Sequence, residues 1–523
     1  MLHKDVEVIE SQAFANCFYV SSIVSKAKNA PTIASNSFNG VAKDNFTIEV
    51  PEESIKKYQF ASGWSEFKRF AAHREFSISR NLLRTLNDEH SKTFVMRAPA
   101  GAAWSVESAP EWVTVTPSSG VGKVDVTITV NEMAAGDVGT FTTGTVNSNG
   151  TVIESTHAGR GGEVVFLLDG KDYRTRMTVE QYDYEYGDGD LYTHQTKGVG
   201  NGVNIVIMGD CFDAKDIAEG KYLQAMKDAY NYFFDIEPYV TYKDYFNVYT
   251  VFGMSADSGM GTVNTIREAR FGSQYTLNEG VSPDFETVFA GACVAPINDN
   301  VATTLVILVE NSYEYSGLCY MWGDGSAVAL VPMSNDPAPY DFQGLVHHEA
   351  GGHGFGKLAD EYIYHNAFIQ SCSCICCGHV KEINAMKSYG FYENISLTGS
   401  MQEVPWSHMI YDPQFSNVVD VYEGAFMHTR GVFRSEATSC MNNNIAYYNA
   451  ISREAMVKRI MKYAGEEYSY EAFKAKDYES LTSTASTLST RAWDGEGVKA
   501  SSQRDQREPK LMGEKPKFNK NKF

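Results

Sequence analysis

A chain of 523 residues with 43% apolar and 13% aromatic residues has room for two to four domains with their own cores and is too apolar to be disordered. Its net charge of −20 argues against nucleic acid as a partner, because no basic stripe is present to release phosphate counterions. No apolar run approaches the roughly 18 residues needed to span a bilayer.

Residues 1–91 alternate apolar and polar positions between turns, as in Phe46-Thr47-Ile48-Glu49-Val50, and read as a β-rich N-terminal domain. The pattern sharpens over 92–183. Trp104-Ser105-Val106, Trp112-Val113-Thr114-Val115, the turn Pro117-Ser118-Ser119-Gly120, Val124 to Val130, Glu163 to Leu168 and Thr175 to Gln181 are short strands at regular spacing. They describe an antiparallel β-sandwich in which both tryptophans take buried strand positions. The Gly/Asp-rich run 184–202 reads as a linker. Asp188 and Asp190 within it could hold calcium, but no EF-hand spacing follows, and a solvated loop is the simpler reading.

The period changes at residue 203. Val203 to Met208 is a buried strand; from Asp213, an N-cap, Leu223, Met226, Tyr230 and Phe233 recur at helical spacing; Phe246 to Phe252 and Thr304 to Val309 are further strands. This αβ domain extends to 468. Residues 469–523 form a polar tail, and Ser501 to Phe523 carries seven Lys/Arg against three Asp/Glu.

The chemistry concentrates in His347-His-Glu-Ala-Gly-Gly-His-Gly-Phe-Gly-Lys-Leu-Ala-Asp-Glu-Tyr362. Zinc hydrolysis needs imidazole and carboxylate ligands and a further carboxylate to take a proton from water. The usual helical motif is His-Glu-x-x-His, with both histidines on one face. Here His348 and His353 are five apart, about 140° around an α-helix. A single-turn π-bulge would bring them together, and Gly351-Gly352 would tolerate the altered backbone at roughly 2 kcal/mol of helix propensity. On this reading His348 and His353 are ligands and Glu349 is the general base. Pairing Glu349 with His353 instead leaves no base, and His347 lies on the wrong face. The third ligand is Asp360 or Glu361, with Asp360 preferred and its neighbour orienting a ligand histidine. The plain alternative is a Gly-rich surface turn without a metal.

Nine cysteines are an odd number, and four crowd into Cys372-Ser-Cys374-Ile-Cys376-Cys377, followed by His379. A second metal site there would need unusual spacing, so local disulfides or free thiols are the simpler expectation.

The run His353 to Tyr362 resembles the zinc metallopeptidases of the clostridial IgA protease family, a branch of which has the H-E-A-G-G-H form. Gly431-Val432-Phe433-Arg434 is similar to that family's Gly-x-Tyr/Phe-Arg element. Ser439-Cys440-Met441 resembles the turn that places a methionine, here Met441, as an apolar floor beneath the metal in metzincin-like folds. The resemblance spans about Asn201 to Ala464 and implies a metzincin-like α/β domain, a Zn²⁺ cofactor and peptide-bond hydrolysis. In such folds an edge strand above the metal pairs with substrate, and Gly317-Leu-Cys-Tyr-Met-Trp322 is the candidate. The sandwich resembles a BACON-type immunoglobulin-like domain on the Trp104 and Trp112 strands, the Pro-Ser-Ser-Gly turn and Thr178-Val-Glu-Gln181. That module implies glycan or mucin attachment or, more simply, a rigid spacer.

The N-terminus, Met1 to Glu10, has neither the basic flank nor the apolar core of a signal peptide. Both modules are nonetheless typical of exported proteins, so an extracytoplasmic location is expected. The expected activity is metalloendopeptidase cleavage of extracellular proteins, immunoglobulin A or mucin-type glycoproteins among them. Two rivals stand beside it: a surface glycan- or mucin-binding protein with a degenerate zinc motif, and a zinc hydrolase acting on a non-peptide such as an amidated cell-wall fragment.

Overall fold

The computed structural model describes residues 2–17, 20, 22–44, 46–73, 76–146, 151–262, 265–276, 280–369, 376–482, 509–520 and 523. They form two compact units, one of residues 1–184 with 261–266, the other of 185–260 with 267–523.

The first unit begins with short parallel pairings: Val8–Ile9 beside Thr32–Ile33, and Ser22–Val24 beside Thr47–Val50 beside Arg69–Ala72. Successive partners are 22 to 25 residues apart in sequence (Arg69 against Thr47; Thr47 against Ser22), which is the signature of a coiled solenoid chain. The segments Ile9-Glu-Ser-Gln-Ala-Phe14 and Ile33-Ala-Ser-Asn-Ser-Phe38 repeat the pattern. Ile9, Ile23, Phe38, Ile48, Tyr58 and Trp64 fill its interior.

A β-sandwich follows. One sheet orders Val113–Thr116, Val124–Val130, His90–Arg97 and Ser77–Ile78; the other orders Ser119–Val121, Ala103–Ser108, Val152–Leu168, Tyr173–Tyr182 and Leu82–Thr85, with Gly139–Val146 also paired to Val152–Leu168. Alternation places Val126, Ile128 and Val130 against Trp104, Phe166 and Met177. Strands 77–78, 82–85 and 90–97 belong to these sheets, so the sandwich starts well before the expected boundary at 91/92. Trp104 is buried, and Gly120 must be glycine because a Cβ there would lie 2.7 Å from its ring. Trp112 differs from expectation: it precedes its strand, is half-buried, and carries the Arg160 guanidinium 4.8 Å above its ring.

The second unit is built on a seven-stranded sheet ordered Leu191–Gln195, Phe246–Val251, Val203–Asp210, Thr304–Glu310, Ala327–Pro332, Leu318–Trp322 and Lys510–Met512. The four strands from Phe246–Val251 to Ala327–Pro332 are parallel to one another, and Leu191–Gln195 and Leu318–Trp322 run against them. Every residue of Thr304–Glu310 is buried, as a parallel strand covered on both faces requires.

Several expectations are corrected here. The linker region contributes the strand Leu191–Gln195, while Asp190 accepts from the Gly187 amide at 2.6 Å and Asp188 from the Met254 amide at 2.7 Å. Asp213 caps only the short helix Ala214–Ala218; Gly220, at φ 79°, breaks the chain before the long helix Lys221–Phe233. The candidate substrate-pairing strand is not a free edge, since Lys510–Met512 pairs with Tyr320–Trp322 and Leu318–Trp322 is buried throughout. The tail is not simply polar chain. It supplies helices Tyr470–Lys476 and Tyr478–Thr482, and its Phe518 and Phe523 pack against the sheet's core, with Arg270 4.2 Å over the Phe523 ring. Residues 501–508 of the basic stretch lie outside the described residues. Among the described residues, no helix is long and apolar enough to cross a membrane.

Candidate metal centre

Asp341 caps a single α-turn, Phe342–Leu345, by accepting from the Gly344 amide at 3.0 Å, and the chain then continues as a π-helix over Val346–Phe355. The widening runs through ten residues rather than one bulged turn. Residues five apart stack in π geometry, so the inserted residue between His348 and His353 is absorbed. Neither Gly351 nor Gly352 has a positive φ. Their smallness serves packing: a Cβ on Gly351 would lie 2.3 Å from Tyr448 Oη, and one on Gly352 2.3 Å from Met441 Sδ. Met441, in the short helix Cys440–Asn443, therefore lies directly against the backbone beside His353.

After the helix, Lys357 turns the chain at φ 55°, and Asn394 clamps Ala359 by accepting from its amide and donating to its carbonyl, both at 2.8 Å. Asp360 is thereby carried back over the helix. Its Oδ1 lies 3.1 Å from His348 Nε2 and 3.2 Å from His353 Nε2, and the two Nε2 atoms are 3.1 Å apart. The opposite ring nitrogens settle the tautomers. His348 Nδ1 donates to the Cys440 carbonyl at 3.1 Å and His353 Nδ1 to the Leu358 carbonyl at 2.8 Å. Carbonyls only accept, so both Nε2 atoms present lone pairs to each other and to a carboxylate. Three lone-pair donors held this close, in a site no more than 4% exposed, call for a cation. A tetrahedral ion with bonds of about 2.0 Å has ligands roughly 3.3 Å apart, which the triangle matches with a fourth corner to spare. Asp360 Oδ2 is buried without a partner. Burial pushes the Asp360 carboxyl up, but positive charge at His353 and His348, the place a bound cation would take, outweighs it and holds it at about 2.

Glu349 lies beside this triangle. Its Oε2 is buried with no partner, and burial raises its carboxyl to about 8. Gly317 packs so closely that a Cβ there would meet Glu349 Oε1 at 3.0 Å. Glu361 faces other partners: it accepts from Ser439 Oγ at 2.6 Å, Asn394 Nδ2 at 2.9 Å and Asn449 Nδ2 at 2.8 Å. Its hydrogen bonds reach neither histidine, whose Nδ1 atoms meet the Cys440 and Leu358 carbonyls instead, and Glu361 ties the Asp360 loop to the segment that carries Met441. Its own amide donates to the Met441 carbonyl at 2.7 Å. His347 is engaged elsewhere, by the Tyr232 carbonyl at 2.9 Å and Asp235 at 2.6 Å. Arg434 is buried and donates to the carbonyls of Gly424 and Ala437.

Of the cysteine run, Cys372 and Cys374 lie outside the described residues. His379, on the helix Cys376–Ser388, places its Nδ1 2.9 Å from Nε2 of buried His428. Glu382, one turn further, is raised to about 7 by burial and by the charge of Asp360. The sequence reading singled out neither Glu382 nor His428, nor Asn394, Tyr239 and Tyr448, whose roles depend on contacts with distant segments.

Residues 194–371 match the family IgA Peptidase M64, and residues 75–158 match the viral BACON domain. No curated protein matches the chain. Among solved structures it is similar to a Vibrio cholerae VesB protease at 10% identity, covering 21% of this chain and 32% of that one, with a TM-score of 0.14. A Porphyromonas gingivalis protein of unknown function aligns at 8% identity over 26% and 59% of the two chains, TM-score 0.15. A Bacteroides ovatus GH5 xyloglucanase in complex with a heptasaccharide aligns at 15% identity over 44% of each, TM-score 0.15. The chain thus spans between about a third and three fifths of these structures, and such low scores carry no argument about its fold. The segment holding the histidine–carboxylate triangle lies within the stretch that matches the model of the IgA peptidase M64 family, a family of metallopeptidases, and a stretch matching a BACON-type domain model precedes it in sequence.

Proposed function

We propose that this protein is a zinc metalloendopeptidase whose metal is held by His348, His353 and Asp360, with Glu349 as general base, on a metzincin-like α/β domain. The observation that carries the reading is the triangle of two bare Nε2 atoms and one carboxylate oxygen at 3.1–3.2 Å. Two imidazoles and one carboxylate suit zinc and leave a position for water or substrate. Held by these three residues, zinc would supply Lewis acidity for a substrate carbonyl and would make water a better nucleophile at neutral pH.

The protein's own groups do the rest. Glu349, whose raised carboxyl the charge of a bound cation would return to the ionised form, takes the proton of the attacking water on its unpartnered Oε2 and returns it to the leaving amine. The Cys440 and Leu358 carbonyls hold the imidazoles in register. Met441 closes the floor and keeps solvent from beneath. The substrate class is extracellular protein, with immunoglobulin A and mucin-type glycoproteins first to test, because the matching family is described by the former. Its BACON-type partner supports an extracytoplasmic location, and half-buried Trp112, covered by Arg160, supports spacer over glycan platform for that domain.

The test is cleavage of immunoglobulin A and of a denatured protein, with products mapped by mass spectrometry, for the wild type and Glu349→Gln. Internal cleavage lost in the variant supports an endopeptidase; no peptide products from either protein favour the non-peptide hydrolase or the binding protein.

A further inference from the structure

A π-helix is rare because its hydrogen bonds and packing are poorer than those of an α-helix, and paired glycines weaken this one further. Something outside the helix must favour the wide register, and two tyrosines are placed to do so. Tyr448 Oη donates to the His347 carbonyl, and Tyr239 Oη donates to the Gly351 carbonyl at 2.6 Å. In an α-helix the His347 carbonyl would instead accept from the amide of residue 351. Tyr448 Oη sits at that junction, bonded to the first and only 2.3 Å from where a Cβ of the second would be. A side chain inserted into the i to i+4 ladder is a known cause of such local rearrangement.

Both tyrosines are fully buried, and both are anchored away from the metal ligands. The Tyr239 ring packs on Phe233 at 4.3 Å and Phe355 at 5.7 Å. The Tyr448 carbonyl accepts from Arg453, which is itself locked to Asp477 by two bonds of 2.7 Å. The two rings meet edge-on at 6.2 Å.

We propose that Tyr239 and Tyr448 are positioning residues for the metal site: their hydroxyls, donated to the carbonyls of Gly351 and His347, hold the widened register that brings His348 and His353 onto one face. The inference rests on the metal-site reading above. Without the hydroxyls the segment relaxes toward α geometry, in which the two imidazoles diverge by about 140°.

The experiment compares wild type with Tyr239→Phe, Tyr448→Phe, the double variant and Tyr222→Phe. Tyr222 is an equally buried control, whose hydroxyl donates to the Val251 carbonyl far along the chain from the site. Zinc affinity is measured by chelator competition, the visible spectrum is recorded with Co²⁺ in place of zinc, and the metal-free melting temperature is taken for each. The expected result is a tenfold to hundredfold weaker zinc affinity in the double variant, as for lost outer partners of metal ligands, with a weakened tetrahedral cobalt spectrum. Tyr222→Phe lowers the melting temperature and leaves affinity and spectrum unchanged. Unchanged affinity and spectrum in the folded double variant, or in both singles should the double not fold, overturn the proposal. A wild type that takes up no zinc overturns the metal-site reading itself, and the positioning role with it.

Discussion

Among the described residues of the second unit, two buried clusters bring three metal-ligand side chains together, and they differ in what their atoms lack. In His348, His353 and Asp360 the outward nitrogens are tied to carbonyls, and the inward atoms face one another without a donor between them. In Asp210, Cys211 and Glu310 the protein supplies the donors. Asp210 accepts from the amides of Cys211, Phe271 and Ser273 and from Ser255 Oγ, the Cys211 thiol points to the Ser273 carbonyl, and Glu310 accepts from Ser273 Oγ. Glu310 keeps one partnerless oxygen, and burial followed by the Asp210 charge raises its carboxyl well above the ordinary value. Both effects favour its protonated form. Residue type alone does not make a ligand set; unmatched lone pairs do.

The sharpest way to break this contrast is to remove a group from each side. Asp360→Ala should lose bound zinc and reduce peptide cleavage to background, read by metal analysis and product mapping. Glu349→Gln should keep the zinc and lower kcat by about 10²–10⁴, the usual range for a lost general base. Metal retention separates the two roles.

On the other side, Asp210→Ala takes the acceptor from Ser255 Oγ and from the Phe271 and Ser273 amides, while the Cys211 amide keeps Ser255 Oγ at 3.0 Å. Each orphaned group costs about 1–3 kcal/mol, partly relieved by local shifts, so denaturant unfolding should show a loss of several kcal/mol. Zinc stoichiometry of the folded fraction should not change.

The smallest effect is a slope. Glu310 binds its proton more tightly in the folded state than in the unfolded one, so its contribution to stability is complete below the unfolded value of about 4.3 and is lost as pH rises above it. Glu310→Gln removes that loss. The variant should therefore gain melting temperature relative to wild type between pH 5 and pH 8; a difference that stays constant over this range would mean that Glu310 is already ionised in the folded state at pH 5.

How much of this was legible follows from sequence distance. The histidine–glutamate motif, its glycines and its trailing Asp-Glu pair lie within sixteen residues, and local spacing alone calls for a widened turn. Choosing between Asp360 and Glu361 was beyond such reasoning, because Glu361 is claimed by Asn394, Ser439 and Asn449, 33, 78 and 88 residues away. The same holds for the strand Leu318–Trp322. Its apolar run is compatible with an edge or an interior strand, and Lys510–Met512 closes it from 190 residues downstream, where a short basic run looks like tail. The solenoid at the N-terminus was legible in principle. Ile9 to Phe14 and Ile33 to Phe38 repeat with a 24-residue offset, a period that the alternation within single strands does not reveal. Leu191–Gln195 was hidden by its Gly/Asp-rich flanks, which mask a five-residue strand whose partner is far off.

The most direct measurement is metal content by plasma mass spectrometry on purified wild type, His353→Ala and Glu310→Gln. About one zinc per chain in wild type and Glu310→Gln, and none in His353→Ala, is the predicted result. Zinc that survives in His353→Ala, or disappears in folded Glu310→Gln, would place the metal at the other cluster and contradict the account.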